Sequence, residues 1–147
     1  MIPIDMPRDA NGWVVLYDPD CGFCRWSLAQ VLARDRDRRL RTVALGSREA
    51  NALLHDLPPA ERAASFHLVD PDGRRLSAGA AAAPLLRLLR GGRLPAALLA
   101  AAPGVTERTY RFVADHRSRF SRVVPSRAKA RADRVIKRRQ AADSAGS

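Results

Sequence analysis

Two cysteines, Cys21 and Cys24, stand two residues apart around Gly22 and Phe23. Within one helical turn that spacing brings two sulfurs close enough to form a disulfide, and a thiolate is the species that attacks another disulfide. The run Trp13-Val-Val-Leu-Tyr17 before them is continuously apolar and β-rich, as in a strand buried on both faces. From Cys21 onward, Phe23, Trp26, Leu28, Val31 and Leu32 recur at helical spacing. The pair therefore opens a helix at the end of a strand, where unpaired backbone N–H groups and the helix dipole favour the first thiolate. This predicts Cys21 as the nucleophile and Cys24, one turn inside, as the resolving thiol. The competing reading is half of a structural zinc site. Tetrahedral zinc takes four ligands, however, and the three histidines, His55, His67 and His116, are scattered without ligand spacing.

Two carboxylates flank the pair. Asp20, directly before Cys21, is expected to be the helix N-cap, with a charge that opposes the neighbouring thiolate. Asp18 has two readings: a general base that takes the Cys24 proton during resolution, or a turn residue before Pro19. Tyr17 and Trp26 read as core. His67, inside an apolar strand, reads as a packing or hydrogen-bonding residue, with a facing position across from Cys21 as the functional alternative.

The elements that must hold these residues follow in order. The first helix ends in Arg34-Asp-Arg-Asp-Arg-Arg39, and Arg41-Thr-Val-Ala-Leu45 reads as a second strand. Ser47 caps a helix through Leu54 that Pro58-Pro59 stops, and Ser65–Val69, Pro71-Asp-Gly73 and Arg74–Leu76 form a hairpin. Helices are expected over 80–90, 95–102 and 106–120. A strand, crossover helix and strand imply a parallel pair to which the hairpin adds antiparallel strands. The expectation is an α/β, thioredoxin-like β-α-β-α-β-β-α sheet with extra C-terminal helices. A polar leader at 1–12 precedes this domain at 13–122, and a basic, flexible tail at 123–147 follows it.

Composition bounds the function. The 147 residues suit one domain, and two cysteines supply no disulfide framework. The longest apolar stretch, Leu94–Ala102, is interrupted by Pro95 and is too short to span a bilayer, and the first 20 residues lack a secretory core. A cytoplasmic location is the default expectation. The net charge of +11 is concentrated in residues 117–139, where ten basic side chains face the single acid Asp133. With Val135 and Ile136 as its only large apolar residues, the end of this segment reads as a frayed, solvated helix remote from the cysteines. Its charge suits weak contact with nucleic acid or an anionic membrane, without aromatic residues to stack on bases.

The stretch Leu16-Tyr-Asp-Pro-Asp-Cys-Gly-Phe-Cys24 resembles the Asp-x-x-Cys-x-x-Cys signature of the DCC family of thiol-disulfide oxidoreductases, with Asp18, Cys21 and Cys24 at its three defining positions. Val69-Asp-Pro-Asp-Gly73 with Gly79-Ala-Ala-Ala82, and Tyr110-Arg-Phe-Val-Ala114 with Arg117, are similar to later parts of that family, so the likeness runs over roughly 13–122. It implies protein-disulfide reduction or exchange with no organic cofactor, a disulfide-containing protein or small molecule as substrate and a thiol electron donor. One departure is that Ala63-Ala64-Ser65 holds no proline where many thioredoxin-like enzymes place a cis-proline against the active pair. The alternative is a non-catalytic module that binds a soft metal through the cysteines or an anionic surface through the tail.

Overall fold

A computed structural model describes residues 12–145; most of the polar leader lies outside them. Strand β1 (Trp13–Tyr17) is central in a four-stranded sheet and pairs in parallel with β2 (Leu40–Ala44), Trp13 opposite Leu40. On its other side it pairs antiparallel with β3 (His67–Val69), which continues antiparallel into β4 (Arg75–Ser77). The order β2-β1-β3-β4 is the expected βαβ unit plus hairpin, an α/β sheet of thioredoxin-like layout.

The apolar run of β1 is explained by helices on both faces. Val15 and Tyr17 enter one core with Leu28 and Leu32 of helix α1 (Gly22–Arg34), whereas Val14 and Leu16 point the other way onto Ala50 and Leu54. Successive strand residues face opposite sides, so a covered sheet needs apolar residues at every position. Helix α2 (Arg48–Leu53) starts where the Ser47 hydroxyl accepts the Ala50 N–H at 3.2 Å, as expected. Helix α2 ends already at Leu53, with Leu54 as its C-cap, so Pro58-Pro59 does not stop it but opens another: Pro59 occupies the first turn of α3 (Pro59–Ala64), where its missing N–H is harmless.

Helices α4 (Gly79–Leu88), α5 (Arg93–Ala101) and α6 (Pro103–Asp115) follow. The single helix expected over 106–120 is divided at His116 into α6 and a separate α7 (Arg117–Val123). The larger correction concerns the basic segment, which is no flexible tail over 126–145. Those residues form α8 (Ser126–Ala145), packed along α1 with Ala132 and Ile136 buried. Its seam, Ala128, Ala132, Val135, Ile136 and Arg139, repeats at helical spacing, and small alanines allow close helix approach without raising the average hydropathy. Asp35, just past the end of α1, is fully buried and receives the Arg139 guanidinium at 2.7 Å. It also accepts the N–H groups of Arg39 and Leu40, both at 3.0 Å. Arg139 in turn donates to the carbonyls of Leu32 and Leu40, so α8 closes the C-terminal end of α1.

Candidate active site

Cys21 itself, in extended backbone geometry, is the N-cap of α1, and its Sγ accepts the Cys24 N–H at 3.3 Å. Asp20, expected in that role, is exposed; its backbone N–H donates instead to Asp18 Oδ1 at 2.9 Å. The carboxylate of Asp18 thus closes a one-turn loop ahead of the cysteines, with its Oδ2 3.8 Å from Arg117. The nucleophile candidate is capped by its own sulfur, since no side-chain oxygen of its own strand end reaches the first turn.

The two thiols differ in setting. Cys24 donates its S–H to Cys21 Sγ at 2.6 Å. Burial, followed by that hydrogen bond and the charge on Cys21, pushes the Cys24 thiol up to about 12; Asp18 acts in the same direction and Arg117 against it. At neutral pH Cys24 therefore keeps its proton and directs it at its neighbour, while Cys21 Sγ collects donors. The arrangement can carry a thiolate at Cys21 and requires proton removal before Cys24 attacks.

Two contributors to this site come from C-terminal helices and were not foreseen. Ser121 of α7 accepts the Phe23 N–H at 2.9 Å, and its hydroxyl lies 3.9 Å from Cys21 Sγ. Because the serine oxygen is already an acceptor toward Phe23, its proton is available for the sulfur. Phe120, next to it, packs on Phe23 with ring centroids 5.3 Å apart. From α8, Lys129 lies across Gly22: a Cβ added there would stand 2.7 Å from Lys129 Cε. Glycine between the cysteines leaves room for that chain. Nothing in the sequence signals either residue. Ser121 sits in an Arg/Ser-rich run, and only the folded spacing of Arg117 and Ser121, four residues apart, puts both on the face of α7 toward the thiols.

A cavity of about 270 Å³ adjoins the pair on the Cys24 side, walled by β1, α1, α4 and α6. Ser65 and Phe66, the segment without a proline, form part of its rim, and no described residue has a cis peptide bond. The Phe66 N–H donates to the Tyr110 hydroxyl at 3.1 Å, and burial holds the Tyr110 phenol above its ordinary value. His67 is brought nowhere near a catalytic contact. It is buried, with Nδ1 2.6 Å from the Ser77 hydroxyl and Nε2 3.1 Å from the Arg62 carbonyl. That is one acceptor and one donor of a neutral ring, and burial lowers its proton affinity. Tyr17 is core, as expected, with its hydroxyl 3.3 Å from Gln140. Among the described residues no three or more His, Cys, Asp or Glu side chains are grouped to hold a metal ion.

A family model described as DCC1-like thiol-disulfide oxidoreductase matches residues 15–123, which contain the last three residues of β1, both cysteines, the hairpin and α7. No curated protein and no solved structure matches the chain.

Proposed function

The chain belongs to the DCC1-like thiol-disulfide oxidoreductase family, and from that membership we propose that it reduces or exchanges disulfides through Cys21 and Cys24. The observation that carries this reading is the polarised pair: a sulfur at the N-cap accepting from both the N–H and the S–H of a half-buried, protonated partner. Cys21 attacks a substrate disulfide, bonds to one sulfur and expels the other as a thiolate that takes up a proton. Cys24 then loses its proton, attacks Cys21 Sγ and releases the second substrate thiol, so that two electrons pass to the substrate and Cys21–Cys24 becomes a disulfide. Asp18 is the base proposed for the Cys24 proton, acting through water at the cavity rim. A thiol donor from elsewhere restores the reduced pair, and the cycle uses no organic cofactor.

The test is reduction of a small protein's exposed disulfide by stoichiometric reduced protein, followed as thiols appearing on the substrate while the protein's own pair is lost, since exchange leaves the total thiol count unchanged. Two thiols per protein molecule are expected, with none from Cys21→Ser. Bound metal at one equivalent, with no thiol released by the metal-free protein, would favour a soft-metal module instead.

One further observation favours a contact with anionic surfaces. Arg127, Arg131, Arg134 and Arg138 are exposed at helical spacing along the outer side of α8. That stripe suits non-specific, salt-sensitive attraction. Binding to anionic vesicles or duplex DNA that disappears with added salt, and with charge reversal at these four positions, is the expected result.

A further inference from the structure

We propose that the cavity beside Cys24 selects disulfides bearing an apolar group next to the sulfur under attack; the inference rests on the exchange activity proposed above. The cavity shares Cys24 and Asp18 with the thiol site, and Cys24 Sγ is 2.6 Å from Cys21 Sγ. A group carried on a sulfur bonded to Cys21 therefore lies beside this half-open recess. Beyond the rim the walls are Val15, Leu28 and Val31 on one side and Leu85, Val113 and Ala114 on the other. A charged substituent of either sign would lose its hydration there for little in exchange, because the two charged side chains of the lining, Asp18 and Arg117, already face each other. About 270 Å³ lies just under the roughly 300–1,000 Å³ of sites for whole small ligands, which suits one side-chain-sized group rather than a chain segment. Small residues facing the space, Ser27 and Ala114, maintain it in an interior where voids larger than a water are few.

The occupant is thus an alkyl or aromatic group carried near the disulfide, supplied either by a small organic disulfide or by an apolar residue adjoining a peptide cysteine. In the reaction the protein dithiol gives two electrons and two protons to R–S–S–R, yielding the protein disulfide and two R–SH, with R seated in the cavity while Cys21 is bonded to its sulfur.

Single-turnover rates of the full-length reduced protein distinguish the possibilities without any electron donor. Dibutyl disulfide is compared with bis(2-hydroxyethyl) disulfide, and a Leu-Cys-Gly peptide disulfide with its Gly-Cys-Gly counterpart, each rate divided by that of free dithiothreitol to remove intrinsic reactivity. The apolar member of at least one pair is expected to react about tenfold faster, as two or so buried methylenes would give. The pair showing the preference identifies the source. Ala114→Phe, which fills the space, should bring that ratio toward one, and Val113→Phe repeats the test if the first variant folds poorly. Equal normalised rates in both pairs would overturn the proposal. No reaction with any disulfide would instead refute the exchange activity on which it rests.

Discussion

The two ends of α1 are both closed by C-terminal helices, but by different physics. At the C-terminal end, Asp35 and Arg139 form a buried ion pair whose remaining donors and acceptors are met by backbone groups. At the N-terminal end, Cys21 is held by a thiol, a backbone N–H and a hydroxyl at 3.9 Å, with sulfurs only partly buried. One end is saturated and rigidifies the helix against the sheet. The other is held by weak, polarisable contacts that leave a sulfur able to accept a new bond. In the proposed exchange, a helix anchored firmly at its far end keeps the two thiols in register while one of them changes partners.

Breaking the anchored end should have the largest effect. Arg139→Leu leaves the Asp35 carboxylate buried and unpaired, so chemical denaturation should show a loss of about 3–5 kcal/mol. Removal of residues 126–147 should go further and expose Ile136's partners in the core. Unchanged unfolding midpoints in both variants would mean that α8 is not part of the folded body.

At the N-terminal end, Asp18→Asn keeps an oxygen for the Asp20 N–H but removes the proposed base. Stopped-flow release of a mixed disulfide should slow by roughly a hundredfold, while the initial attack changes much less. Equal release rates would reduce Asp18 to a turn residue.

Titration sharpens the contrast in both directions. The Cys24 thiol is raised from 9.0 to about 12 in the folded protein, so between those values the folded chain holds a proton that the unfolded chain has lost. Stability of the reduced protein should therefore fall as pH rises above about 9, and the oxidised protein, which has no thiol there, should be less affected. His67 works the opposite way: its folded affinity is lowered from 6.5, so stability should decline as pH drops through that value. His67→Gln should flatten the acid limb of the melting profile.

The smallest effect is expected at Ser121. Ser121→Ala should slow alkylation of Cys21 near pH 7 by roughly threefold, as loss of one long hydrogen bond to a charged sulfur implies. Ser121→Thr, which keeps the hydroxyl, should restore the rate. No change in either variant would confine Ser121 to capping the Phe23 N–H.

How much of this was readable from sequence follows from the range of the interactions involved. The apolar run of β1, the Cys-x-x-Cys at its end and the turn at Pro71-Asp-Gly73 are local signals, and each predicts its element directly. The N-cap was misread because Asp20 has the better intrinsic propensity, whereas Asp18 takes the Asp20 N–H and turns the loop so that the Cys21 sulfur meets the first turn. The basic segment was misread because its seam is built from alanines and one arginine whose partner, Asp35, lies 104 residues earlier. Ser121 and Lys129 reach the thiols only through that same long-range docking of α7 and α8.

The central claim is that the cysteines are unequal, Cys21 attacking and Cys24 resolving. The direct measurement incubates Cys21→Ser and Cys24→Ser separately with a disulfide substrate and quantifies the covalent adduct on each by intact mass, alongside iodoacetamide labelling of each cysteine in the wild-type protein at neutral pH. Cys24→Ser should accumulate one mixed disulfide per chain at Cys21, Cys21→Ser should trap none, and Cys21 should label first. Trapping by Cys21→Ser, or faster labelling of Cys24, would contradict the account and reverse the two roles.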